Sequence, residues 1–455
     1  MSKKLLLAAV SVAALNVSPA FAASDEELKL LRAEIAKMQA TYEAKINELE
    51  GKLEAIETRQ STANTMQANT VAVTSVQPSA RPATAQRPIN NSSFNPEIGV
   101  ILQGQYQSFS NDSGEFAGFA IGEEGERGEE GLGIDETELN FSASVDNLFR
   151  ASSTVALHEH EGDLEVELEE AYVETLALPY GMQAKAGRFF SELGYLNSHH
   201  AHSDDFADRP LPNRAFLDSN YNDDGVQISM ILPTDLYTEI GAGAFRGSDF
   251  PGGGAEGSDI GAWTAYGRVG GDIGNNTSWR IGASTLQAND VSREANEDTV
   301  TFEGDSDLYI LDGRAVIAPT GNSAEQEIIL QGEYFYRDEN GTYEDTDFGT
   351  GVVDYDDAQS GWYAQTVYKF LPKWRVGARY AQLYAGDTPA GLAGSALDSE
   401  GHDPWSGTAM IDWTNSEFSR ARLQYNHEEL ADGQNDNQIM LQYIMSIGAH
   451  GAHAF

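Results

Sequence analysis

The sequence predicts an all-β chain, a 16-stranded antiparallel transmembrane β-barrel preceded by an N-terminal periplasmic α-helical coiled coil. Three observations predict it. From Pro96 onward, apolar and polar residues alternate through segments of about ten residues, the length that crosses a bilayer at a tilt. The connections between these segments alternate in kind, short turns against long acidic loops, over an even number of strands. The last segment, QIMLQYIMSIGAHGAHAF, puts Ile439, Leu441, Tyr443, Met445 and Ile447 on one face and Gln438, Gln442, Ser446 and Gly448 on the other, before ending on Phe455.

At the other end, Lys3 and Lys4 precede the apolar run LLLAAVSVAAL, and Ala20 and Ala22 form an A-x-A cleavage pattern. Residues 1–22 therefore read as a secretory signal peptide, too short to span a membrane as a mature helix. Leu28, Leu31, Ile35, Met38 and Tyr42 follow 3,4 spacing, and Ile46, Leu49, Leu53 and Ile56 resume it after a four-residue step. That is a coiled coil over 24–59 with one stutter, roughly 50 Å long at the usual helical rise. A lone helix of that length has nothing to bury its stripe against, so self-association is expected; a membrane-surface amphipathic helix is the alternative. Residues 60–95, rich in Ser, Thr, Ala, Gln and Pro with little hydrophobic mass, read as a flexible linker.

Residues 96–455 form the barrel. The strands are expected near 97–109, 133–145, 148–160, 164–177, 181–190, 223–232, 236–246 and 260–271. The second half continues near 277–289, 306–318, 325–337, 358–371, 373–384, 406–414, 417–428 and 438–455. Even-numbered strands end in turns such as DN at 146, LPYG at 178 and GNN at 274. Most odd-numbered strands end in long loops, at 110–132, 191–222, 247–259, 290–305, 338–357 and 385–405. A soluble β-sandwich does not sort loop length by strand parity; a barrel with both termini in the periplasm does.

No segment after the signal supplies eighteen consecutive apolar residues, so an exported chain ends soluble, lipid-anchored or inserted as strands. The chain has no cysteine, which removes acylation, disulfides and thiolate ligands and leaves His, Asp and Glu for any metal. Net charge is −43, and residues 96–455 carry 62 acidic against 18 basic residues. Such a surface repels nucleic acid and attracts cations. Adaptation to salt, or an acidic loop layer binding divalent ions beside lipopolysaccharide, explains the same charge; outer-membrane lipid and lipopolysaccharide are the expected surroundings.

An aromatic last residue on an alternating strand resembles the C-terminal insertion signal of bacterial outer-membrane barrels, although His453 stands where that family often carries a bulky or aromatic residue. The connection after the fifth strand, SELGYLNSHHAHSDDFADRPLPNRAFLDSNYNDD, is the third on the long-loop side and is similar in position and length to the third loop, which folds into the lumen of sixteen-stranded porins. The run AYVETLALPYGMQAKAGRFF from Ala171 resembles the strand-turn-strand of phosphate-selective-type porins. With HHAHSDDFADRP and the GAHGAHAF end, the chain as a whole resembles siderophore porins related to the legiobactin receptor and their zinc-regulated relatives. The resemblance implies an outer-membrane homotrimer with a periplasmic coiled coil that contacts peptidoglycan.

Histidine placement is the sharpest local pattern. His199, His200 and His202 lie in the third loop beside Asp204, Asp205, Asp208, Arg209 and Arg214, the expected constriction. His158 and His160 share lumenal parity on the third strand, while His402 and His427 fall near the outer end, so seven of nine histidines are expected at the extracellular mouth. Imidazole with carboxylate suits zinc and similar divalent ions, bound directly or carried as an iron or zinc chelate, which makes His199, His200, His202, His158 and His160 candidate ligands. Stacking of these rings on aromatics in a wet vestibule is the bland alternative. Arg150, Arg268, Arg280, Arg375, Arg379, Arg420 and Arg422 have lumenal parity, as rungs of a pore lining or as partners of carboxylates such as Glu170 and Glu174. Trp263, Trp279, Trp374 and Tyr380 have outward parity and suit interfacial girdles.

These features fit a porin for small hydrophilic solutes with cation or metal-chelate preference, and requiring no resident cofactor. A specific non-energised siderophore or zinc receptor and an envelope tether acting through the coiled coil are the alternatives. About 360 residues cannot supply a twenty-two-stranded barrel and plug, and no nucleophile–base pair stands in a recognisable context, which disfavours a pump-coupled transporter and an enzyme.

Overall fold

The computed structural model describes residues 96–448 apart from 112–113, 135, 161–162 and 254–259. The signal peptide over 1–22, the coiled coil over 24–59, the linker over 60–95, and His450, His453 and Phe455 lie outside the described residues.

The described chain is a closed antiparallel barrel. Its first half comprises β1 (Glu97–Ser108), β2 (Gly131–Ile134), β3 (Thr137–Ser144), β4 (Phe149–His160), β5 (Asp163–Thr175), β6 (Met182–Phe190), β7 (Asn222–Ile231), β8 (Tyr237–Phe245) and β9 (Ala262–Ile273). Its second half comprises β10 (Thr277–Ala295), β11 (Val300–Ile317), β12 (Glu327–Asp345), β13 (Val353–Leu371), β14 (Trp374–Tyr384), β15 (Trp405–Ser416), β16 (Ser419–Ala431) and β17 (Gln434–Gly448). Both β2 and β3 pair with β1 as two pieces of one wall position, which gives sixteen positions. The last strand closes on the first, from Gly99 opposite Gly448 to Ser108 opposite Ile439. Closure removes both sheet edges, so the wall runs without a free end.

The wall is inverted relative to a water-soluble fold. Along β17 the outward Ile439, Leu441, Tyr443 and Ile447 are about half exposed while the inward Gln438 and Gln442 are buried. On β12 the outward Leu330, Tyr334 and Tyr336 alternate with buried Gln331, Glu333, Phe335 and Arg337. Trp263, Trp374 and Tyr380 stand on the outer surface, and Trp374 pairs with Trp413 in register. Trp279 shares that parity and is half-buried.

One expectation about the loops is corrected. Residues 290–305 and 338–357 are mostly strand, because β10 to β13 run on well past the apolar belt and leave only 296–299 and 346–352 as connections. The alternation there persists with a different outer face: Val291, Arg293 and Ala295 are buried, whereas Asp290, Ser292 and Glu294 are exposed. Acidic outward residues suit strands that have left the belt, and they conceal the two-residue period from a search for apolar faces.

Part of the interior is filled. Loop 191–221 enters the lumen between β6 and β7 and carries a short helix, α1 (Leu211–Leu217), all seven of whose residues are buried. Pro212 sits in its first turn, where no backbone N–H is needed, and Asp218 ends it in the left-handed conformation. Phe216 stacks on Phe335 of the wall and meets Phe119 of loop 109–130 edge-on, both at 5.9 Å. Burying such a ring stabilises the packing by about 1.5–3 kcal/mol.

Candidate functional site

The base of the inserted loop is fixed by one buried side chain. Asn197 donates from Nδ2 to the carbonyls of Ser191 (2.8 Å) and Tyr221 (2.9 Å), and its Oδ1 accepts from the Tyr221 N–H (2.6 Å). Asn197 thereby holds the two ends of the loop together. Within the loop, Arg209 donates to the carbonyls of Leu196 and His199 and pairs with Asp204 at 2.7 Å.

Wall arginines then dock the loop. Arg268 pairs with Glu192 at 2.6 Å, Arg375 bridges Asp205 (2.6 Å) and Asp412 (2.5 Å), and Arg379 pairs with Asp208 at 2.7 Å. Arg420 donates to the His202 carbonyl and Arg422 to the Asp204 carbonyl, each at 2.6 Å. Arg280 reaches the Gly194 carbonyl at 3.3 Å, and its guanidinium, like that of Arg314, lies over the Tyr195 ring. The parity of these arginines is inward, but their guanidinia are engaged by the loop or its neighbours. Arg150 is separate, donating to Ser142 Oγ at 3.3 Å. Arg214 ties the loop to a second one, donating to the Gly125 carbonyl at 2.8 Å with its guanidinium over Phe116.

Burial and charge act on the loop carboxylates in opposite directions. Burial alone would raise Glu192 and Asp205, yet Arg268 and Arg375 hold both below the usual carboxylate range. Asp204 is pushed up to about 6 by burial despite Arg209.

The expectation of a single histidine-rich mouth is corrected. His199 stacks on Tyr195 at 4.6 Å with Nδ1 on the Tyr195 carbonyl, and burial pushes it down to about 4. Its ring is engaged by Tyr195 and not by His200 or His202. His158 lies on the lumenal side of β4, 3.5 Å from Glu165. His160 ends β4 opposite Asp163, and its side chain is outside the described part. His427 has outward parity, packs against Trp405 at 5.2 Å and bonds Asn437. His402 Nε2 bonds the Glu429 carbonyl, with Glu429 and Asp432 near it. Inward parity and nearness to the outer end do not bring residues on opposite walls together.

Among the described histidine side chains only His200 and His202 converge, with rings 5.6 Å apart, and they meet three carboxylates that the histidine pattern did not reveal as a set. His200 Nδ1 lies 3.0 Å from Glu169 and 3.5 Å from Glu138, and His200 Nε2 lies 3.1 Å from Glu170. His202 Nδ1 bonds the other oxygen of Glu138. Phe190 packs edge-on against the His200 ring at 5.2 Å. Burial opposes charge on His200, but Glu169 and Glu138 outweigh it and raise its pKa well above the ordinary value. Glu138, Glu169 and Glu170 are all more than nine-tenths buried.

Two consecutive glutamates face inward because of a β-bulge. The β4–β5 register shifts between Thr154, opposite Glu170, and Val155, opposite Leu168, so Glu169 is the extra residue. A bulge re-aims one side chain without ending the strand. Glu138 was legible as an inward residue of β3; the bulge was not.

A cavity of about 900 Å³ lies beside this cluster, between β1, β4, β5 and β17 of the wall, the inserted loop and loop 109–130. Fourteen carboxylates line it against three arginines, Arg127, Arg209 and Arg214. Glu123, Glu124, Glu129 and Glu130 line it as exposed side chains, Asp204 and Glu169 as buried ones. Such a lining concentrates cations.

No protein-family model matches the chain. A protein of Aquifex aeolicus (strain VF5) described as uncharacterized is 28% identical over 400 residues, 81% of each chain. Among solved structures, a loop-L8 deletion mutant of OmpT, an outer membrane protein of Vibrio cholerae, is similar with a TM-score of 0.48 and 11% identity over 78% of this chain and 99% of that one. The outer membrane channel DcaP of Acinetobacter baumannii is similar with a TM-score of 0.48 and 13% identity over 78% of this chain and 97% of that one. At these values the likeness describes shape alone, and the functional reading rests on the chain's own geometry.

Proposed function

We propose that this protein is an outer-membrane channel for small hydrophilic solutes, with a preference for cations or metal chelates. The observation that carries the reading is the closed sixteen-position barrel with an apolar outer belt, enclosing a polar interior whose cavity is lined by fourteen carboxylates and three arginines. Strands can enter lipid only when every backbone group is paired and the apolar face points out, as it does here. Loop 191–221 forms the constriction, and the wall arginines set its position. Self-association as a homotrimer through the coiled coil, with lipopolysaccharide around the acidic rim and peptidoglycan at the periplasmic end, completes the reading.

Planar-bilayer recordings test it. Purified protein is expected to give discrete conductance steps, with reversal potentials in a salt gradient on the cation-selective side. No steps, or anion selectivity, would overturn it.

Uptake of zinc or an iron or zinc chelate is a second reading, favoured by the meeting of His200 with Glu138, Glu169 and Glu170 at the cavity. Replacing His199, His200 and His202 together by alanine is expected to impair growth under zinc or iron limitation while general permeability persists. Unchanged growth would leave only the general channel.

A further inference from the structure

The Glu138–Glu169–His200 cluster has the geometry of a metal site as well as its composition. One ligand atom from each of the three lies within 4.8 Å of the other two. Ligands at about 2.1 Å around a tetrahedral ion stand about 3.4 Å apart. The His200 Nδ1 separations of 3.0 Å to Glu169 and 3.5 Å to Glu138 bracket that edge length.

The outer shell is also in place. A metal-bound histidine normally gives its second ring N–H to a carboxylate, which fixes the tautomer and the ring plane. Glu170 occupies that position, 3.1 Å from His200 Nε2. His202 in turn bonds the Glu138 oxygen that does not face His200, and so orients that carboxylate. Three buried carboxylates beside two imidazoles leave an excess of negative charge, which a divalent ion would neutralise. The β-bulge explains how one strand supplies both an inner ligand, Glu169, and an outer partner, Glu170.

The donor set selects the class of ion. Calcium and magnesium take all-oxygen shells, whereas one imidazole with two carboxylates suits zinc and its first-row neighbours. We propose that Glu138, Glu169 and His200 bind one divalent transition-metal ion of the zinc class, with Glu170 and His202 orienting the ligands and the fourth position left to water or a solute group. The ion would clamp the tip of the inserted loop to β3 and β5. The site deepens the channel reading and depends on it only for access, because Glu169 also lines the cavity.

The test uses full-length protein in detergent, stripped with a chelator, loaded with zinc chloride, desalted and assayed for metal per chain. About one zinc per chain is expected, with cobalt giving the visible spectrum of a four-coordinate site. Loss of a ligand through His200→Ala or Glu169→Gln is expected to weaken zinc binding tenfold or more, whereas His427→Ala on the outer surface leaves it unchanged. Heat-modifiable gel mobility confirms that each variant retains the barrel, and Glu138→Gln serves if either of the first two does not. Wild-type protein that retains no zinc, or His200→Ala and Glu169→Gln variants that retain it as tightly as wild type, would overturn the site. Conductance of the same preparations separates the two ideas: a conducting barrel without zinc defeats the metal site alone, and a zinc-holding barrel without conductance defeats the channel alone.

Discussion

Arg379 shows how single residues set the shape of the interior. Its Nη2 pairs with Asp208 at 2.7 Å, Nη1 donates to the Asp208 carbonyl, and the guanidinium covers Phe206. Removing one partner of a buried pair costs about 3–5 kcal/mol, because the other charge is left without compensation. Here Asn426 also donates to Asp208, so Arg379→Ala is expected at the lower end, with faster hydrogen exchange at 204–209 and an intact barrel. Asp218 gives a pH-dependent contact. Burial and the nearby Glu124 push it up to about 7, above its unfolded value of 3.8. Its contribution is therefore complete below about pH 4 and is lost as pH rises through 7. Protease sensitivity of loop 109–130 should increase over that range in wild type and stay flat in Asp218→Asn.

At the scale of elements, the contact between loop 109–130 and α1 depends on a missing side chain. A Cβ on Gly125 would lie 2.5 Å from the Arg214 carbonyl oxygen, which is backbone and cannot swing away. Overpacking of this kind costs about 1–3 kcal/mol. Gly125→Ala is expected to displace the loop, seen as faster hydrogen exchange across 116–126, while the barrel keeps its heat-modifiable mobility. The strands themselves were largely legible, because each wall strand combines a period of two with a polarity contrast between lipid and lumen. Legibility failed where that contrast failed. In β10 to β13 beyond the belt the outward face turns polar and the apolar residues, such as Val291, Val300 and Phe302, face inward, which reverses the pattern, and at Glu169 a bulge breaks the period.

For the whole molecule, the excess of acid is a long-range property that no single pair decides. The exposed cavity carboxylates act together, so replacing Glu123 and Glu124 with glutamine is expected to reduce cation selectivity without abolishing conductance. The reversal potential should also shrink between 0.1 M and 1 M salt, as the Debye length falls from about 10 Å to about 3 Å. A selectivity unmoved by either change would show that the mouth charges do not face the permeating ions.

Periodicity and loop parity determined the class of fold, the number of wall positions, the closure of the last strand on the first and the inward parity of the arginines. These are local or repeating properties, and the chain states them in every segment. The tertiary structure decided which inward residues meet. His199, three positions from His202, turns to Tyr195, while Glu138 and Glu169, from two different strands, converge on His200. Parity assigns a side chain to the lumen, but only the path of the inserted loop and one bulge place it against a partner.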